Sequence, residues 1–109
     1  MYLGMTMSKT ANKDLKQLRA IGHKLKPVVT VAGNGLTESV MSELERALSD
    51  HELIKIKLAV GSREARTEIT REICDRSGAD LIQSIGNVLV IMRRSAKPDP
   101  RLSNLIRAQ

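Results

Sequence analysis

Two hydrophobic rhythms alternate along the chain, and the switches between them mark its elements. From residue 8 to residue 25, Leu15, Leu18, Ile21 and Leu25 recur at spacings of three and four, with Lys9, Lys13, Lys16 and Arg19 between them. That spacing predicts an amphipathic helix. Ser8 or Thr10 suits its start and Gly22 its end. A basic connector holding His23, Lys24 and Lys26 leads to Pro27, which lacks an N–H and fits the first position of a strand. Val28 to Val31 is a β-branched run that suits a buried strand. Gly33-Asn34-Gly35 breaks it, because both residue types tolerate tight turns. Thr37 then caps a helix whose apolar face is Leu36, Val40, Leu44 and Leu48, supplemented by Met41 and Ala47. Asp50-His51-Glu52 closes it.

From Leu53 to Val60 the rhythm changes to two. Ile54, Ile56, Leu58 and Val60 fall on one face, with Lys55 and Lys57 on the other, which predicts a half-buried strand. Ser62 caps a third helix with Ala65, Ile69 and Ile73 on its apolar stripe and Gly78 at its end. Residues 80–85 and 88–92 read as strands joined by the two-residue turn Gly86-Asn87. The second of them is apolar throughout and is expected at the centre of the sheet. The order α-β-α-β-α-β-β predicts an α/β chain of α+β-like, two-layer character, with one four-stranded mixed sheet. Right-handed crossovers put the second and third helices on one face. Residues 8–95 form the domain, residues 1–7 an N-terminal extension and residues 96–109 a C-terminal tail. With Leu102, Leu105 and Ile106, that tail is expected either to dock as a short helix or to be loose.

Composition narrows the chemistry. Of 109 residues, 41% are apolar, enough for a packed core, yet Tyr2 is the only aromatic. Reading single-stranded bases by stacking is therefore not expected. The net charge of +6 is uneven. Residues 1–35 carry six basic groups and one acid, the stretch 36–78 seven and nine, and the remainder five and two. Such a distribution suits a polyanion-binding face. Cys74 is single, so no internal disulfide and no cysteine metal site are expected. His23 and His51 lack metal-ligand spacing. No run of 18 apolar residues is present, so a cytoplasmic protein without a membrane partner is expected.

The strand-turn-helix of Pro27–Leu48 holds the most specific chemistry. It brings a helix N-terminus, with its unpaired N–H groups, to a glycine-bearing loop, a place suited to an anion. Lys24 and Lys26 precede the strand and are expected to flank the loop. Lys55 and Lys57 on the second strand, Arg63 and Arg66 at the start of the third helix, and Arg93 and Arg94 after the last strand are candidates for a wider basic surface.

Several blocks, LRAIGHKLKPVV, GNGLTESV, HELIKIKL and SIGNVLVIMRR, lie in an order that resembles the CRM domain family, most closely its free-standing bacterial form, YhbY. The resemblance runs from about Leu15 to Arg94. It implies an RNA-binding, non-enzymatic protein with a fold similar to the C-terminal domain of translation initiation factor three. It further implies association with ribosomal RNA of the large-subunit precursor, as an assembly factor. The family's loop motif, two glycines separated by two residues, matches Ala32, Gly33, Asn34 and Gly35, with Ala32 in place of the first glycine. Those four residues join Lys24, Lys26, Lys55, Lys57, Arg63, Arg66, Arg93 and Arg94 as the expected RNA-binding set. No cofactor or metal is expected, and a monomer is. The alternative is a small phosphate-ligand-binding domain or enzyme using the same loop. No P-loop lysine follows the glycines and no nucleophile–base pair stands out, which weighs against it.

Overall fold

The structure, a computed structural model, describes residues 12–107. Its elements are α1 (Asn12–Lys24), β1 (Pro27–Val31), α2 (Glu38–His51), β2 (Leu53–Leu58), α3 (Arg63–Ser77), β3 (Asp80–Ile85), β4 (Val88–Met92) and α4 (Asn104–Arg107). The four strands form one mixed sheet in the order β1-β2-β4-β3. β1 runs parallel to β2, and β4 is antiparallel to both of its neighbours. The expected α+β architecture and the central place of Val88–Met92 are what is found. The Ser8 and Thr10 caps and the 1–7 extension lie outside the described residues.

Strand alternation divides the interior in two. On β2, Ile54, Ile56 and Leu58 join Leu44, Leu48, Ile69 and Ile73 of α2 and α3 in the main core. Leu53, on the opposite face, joins Leu18 of α1, Val90 and Met92 of β4, and Leu105 of α4 in a second core. The first helix thus packs on the face that α2 and α3 leave, adding a partial third layer to the two expected. Among the described residues the main core buries thirteen side chains and the second six, so α1 and α4 cover their face incompletely. Val28 and Ile85 stay 49% and 63% exposed on the sheet.

The helix ends mostly follow local chemistry. Thr37 Oγ1 accepts from Val40 N at 3.2 Å and Ser62 Oγ from Ala65 N at 3.0 Å, so each satisfies an N–H that the first turn leaves without a partner. Gly78 ends α3 in the left-handed conformation at φ 74°. Gly22 corrects an expectation: α1 continues through it to Lys24. A Cβ on Gly22 would lie 2.7 Å from Val90 Cγ1, so the missing side chain serves the close approach of α1 to β4.

The tail is docked. Glu52 turns the chain from α2 into β2 at φ 63° and is 3% exposed. Its Oε1 accepts from Ser103 Oγ and its Oε2 from Ser95 N, both at 2.6 Å. Asn104 Nδ2 donates to Leu53 O at 2.7 Å, and His51 Nδ1–H donates to Leu102 O at 2.9 Å. These bonds hold α4 against the second core, where Leu105 is buried.

Candidate nucleic-acid interface

The parallel pairing of β1 and β2 brings their C-terminal ends together. Ala59 N donates to Val31 O and Leu58 N to Asn87 O, both at 2.7 Å. Three connections therefore share one end of the sheet: the loop after β1, the turn before α3 and the β3–β4 hairpin. The loop is a tight turn closed by Gly35 N donating to Ala32 O at 2.9 Å. Gly35 alone in it takes a positive φ, 75°, which an L side chain would adopt only under strain. Ala32 does not, so the alanine at the family motif's first glycine position costs the backbone nothing. Gly33 has neither a positive φ nor a neighbour within 4 Å of where a Cβ would stand. Its backbone is bare toward solvent. Thr37 N then donates to Gly35 O at 3.1 Å and hands the chain to α2.

The structure divides the expected basic set. Lys57 lies beside the loop: it pairs with Thr30, one residue before the end of β1, and its side chain is exposed on the α1 face. Arg63 and Arg66 stand at the same end of the sheet, close to Gly86. Lys24 and Lys26 do not flank the loop. They lie before β1, and a five-residue strand, spanning roughly 13 Å from first to last Cα, separates them from it. There they line a shallow hollow with Ile21 and Asn104. Lys55 is half-buried and its Nζ donates to His23 O at 3.1 Å, capping the carbonyl end of α1, where a cation is favoured.

Arg93 and Arg94 follow β4 at the end away from the loop. Arg94 is exposed. Arg93 is committed elsewhere: Nη1 donates to Glu45 Oε1 and to Ser77 O, each at 2.8 Å, and Nη2 reaches Ser49 Oγ at 3.3 Å. It ties α2, the end of α3 and β4 together. Two further arginines belong to the loop end that the pattern of the sequence did not single out. Arg76 Nη1 donates to Leu36 O at 3.4 Å, on the shoulder of the loop, and to Glu72 Oε2 at 3.2 Å. Arg71 joins Arg63 and Arg66. Arg71 falls off the Ile69–Ile73 stripe, whereas Arg76, three residues after Ile73, continues that stripe past the core to the loop.

Burial raises the Cys74 thiol above its ordinary pKa, and Asp75 and Asp80 push the same way, so thiolate is disfavoured. Among the described residues no cluster of His, Cys, Asp or Glu could hold a metal ion, and no helix is long and apolar enough to cross a membrane.

Residues 11–93 match the model of the CRS1/YhbY (CRM) domain. The chain belongs to this family. The CRM match ends one residue beyond β4, before the docked tail. Its relatives include a protein of Pseudomonas aeruginosa named "Probable RNA-binding protein", 54% identical over 92 residues, covering 84% of this chain and 88% of that one. Another, from Haemophilus influenzae, is named "RNA-binding protein" and is 43% identical over 89 residues, covering 82% and 90%. A CRM-like fold is also found in the solution structure of a Staphylococcus aureus protein. It superposes with a TM-score of 0.70 at 24% identity, covering 80% of this chain and 91% of that one.

Proposed function

We propose that this CRM protein binds structured ribosomal RNA and serves, without catalysis, as an assembly factor of the large ribosomal subunit, acting as a monomer in the cytoplasm. The observation that carries the RNA reading is the loop end of the sheet. A bare backbone at Gly33–Gly35 leads into a helix N-terminus, with Lys57 beside it and arginines beyond. Backbone N–H groups and cations of this kind contact phosphates and fix register, and they need no aromatic ring. The names of the relatives point the same way. The ribosomal target rests on the family resemblance alone.

Gly33→Asp tests it. Among the described residues no atom lies within 4 Å of a Cβ on Gly33, and its φ is not positive, so the fold is kept while a carboxylate faces the incoming phosphate. Affinity for ribosomal RNA, measured by filter binding at fixed salt, should fall about tenfold or more. Sedimentation of the variant with large-subunit precursors should fall in parallel. Unchanged RNA affinity would remove the loop from the interface. Retained RNA binding with no sedimentation beside large-subunit precursors in the wild type would end the assembly role.

A further inference from the structure

Helix α3 carries two stripes. Ile69 and Ile73 enter the main core. Arg63, Arg66, Thr67, Thr70 and Arg71 follow the same helical rhythm, at i, i+3, i+4, i+7 and i+8, and line a groove of about 500 Å³ between α3 and β3. β3 is an edge strand, and Leu81 leaves 44% of its surface open on it.

The cations of this groove are poorly neutralised. Among the described residues no acidic one lines it. Arg71 reaches Glu68 only at 3.9 Å, with both side chains mostly exposed. Arg66 donates to the carbonyl of Val60 at 3.4 Å, and Arg63 has no carboxylate partner among the described residues. Guanidinium groups so placed match phosphate oxygens, which they can take two at a time.

The threonines ask for something else. Thr67 Oγ1 donates to Arg63 O at 3.0 Å and Thr70 Oγ1 to Arg66 O at 2.7 Å. A hydroxyl has one proton. With it committed to the helix backbone, each oxygen offers the groove lone pairs only. Phosphate, an acceptor, has no use for them. A ribose 2′-hydroxyl is a donor and does.

We propose that the α3–β3 groove takes a ribose-phosphate strand, with Arg63, Arg66 and Arg71 on phosphates and Thr67 and Thr70 accepting from 2′-hydroxyls, so that this groove recognises the sugar of RNA. The proposal rests on the RNA-binding reading and deepens it. It places the sugar-reading contacts across the sheet from the glycine loop, three strand spacings or roughly 14 Å away.

The test compares a synthetic RNA stem-loop having single-stranded flanks with its fully 2′-O-methylated form, which keeps the backbone charge and loses the donor proton. Fluorescence anisotropy at fixed salt should give the wild type roughly fivefold tighter binding to the unmodified RNA. Thr67→Val/Thr70→Val, which keeps the β-branched shape and the arginines, should bind both forms alike, at the wild type's affinity for the methylated one. Arg63→Gln/Arg71→Gln should weaken both forms and lower the slope of log K against log salt by about two. A Thr67→Val/Thr70→Val protein that still prefers unmodified RNA fivefold would overturn the sugar assignment, since the discrimination would then be steric. Unchanged affinity in the arginine pair would overturn the groove itself, as would saturable binding of inorganic phosphate there that the RNA does not displace. If the groove variants bind as the wild type does and Gly33→Asp does not, the groove proposal fails and the RNA reading stands. If the wild type binds neither RNA form, both fail.

Discussion

The two ends of the sheet use the same residue types to opposite purposes. At the end where β1 and β2 begin, Arg93 and Glu52 are paired and partly or fully buried, while Lys24, Lys26 and Arg94 stay exposed. Arg93 is held by Glu45 and the carbonyl of Ser77, and the Glu52 carboxylate by Ser95 and Ser103. At the end where those strands finish, Gly33 meets nothing, Lys57 is exposed, and Arg63 has no carboxylate partner among the described residues. Charge alone does not tell a structural group from an available one; the state of its partners does. A saturated arginine holds elements together, while an unsaturated one is available to a polyanion. The division predicts that substituting a paired group, Glu52 or Arg93, changes stability and leaves RNA affinity alone, and that substituting an unpaired one, Gly33 or Arg63, does the reverse.

The largest effect is expected at Glu52. Glu52→Ala leaves the Ser103 hydroxyl and the Ser95 N–H without their acceptor, one of them fully buried. Unsatisfied buried donors of this kind cost about 3 kcal/mol together. For a domain of this size that corresponds to a fall in melting temperature of about 10 °C or more. Calorimetry would measure it, and limited proteolysis should show residues 96–107 cut first. RNA affinity of the folded variant, taken well below the transition, should match the wild type. A stable Glu52→Ala protein would show that Leu105, Asn104 and His51 hold the tail without it.

Arg93→Met is expected next. It removes two charge-assisted bonds at 2.8 Å from a partly buried guanidinium and strands Glu45, at a cost of about 2 kcal/mol. Its counterpart is Arg63→Met at the other end, with a stability change within about 0.5 kcal/mol and a salt slope for RNA binding lowered by about one. Urea denaturation and a salt titration on each variant complete the cross. If Arg93→Met lowers the salt slope as Arg63→Met does, the two ends are not divided as described.

Much of this was legible along the chain, and what was not has a physical cause. Period-two alternation placed Lys55 and Lys57 on one face of β2 because strand geometry leaves no other choice. Thr37, Ser62 and Gly78 were readable as caps because capping is local chemistry. The role of Gly22 was not, since the atom that forbids a side chain there belongs to Val90, far along the chain. Nor could spacing separate Arg93 from Arg94, or show that Lys55 reaches the carbonyl of His23. Which cation is free depends on partners brought in by the fold. Lys24 and Lys26 are near the loop in sequence, and a strand carries them to its other end. Arg71 stands off the apolar stripe of α3, and only the groove that β3 completes gives it a role.

The finest division runs through the loop itself. Gly35 needs its missing side chain for its own backbone, at φ 75°, and Gly33 does not. Gly35→Ala should therefore cost about 1–2 kcal/mol, the penalty for a left-handed L residue. Gly33→Ala meets no atom and keeps an ordinary φ, so it should be neutral or stabilise by about 0.5 kcal/mol, by restricting the unfolded chain. Both are measurable by denaturation. RNA affinity then separates the two glycines further. If phosphate approaches the bare backbone at Gly33, the added methyl should weaken binding a few-fold in a protein that is no less stable. A Gly33→Ala variant with unchanged stability and unchanged affinity would mean that the contact belongs to the helix N-terminus and Lys57, with the turn serving only to aim them.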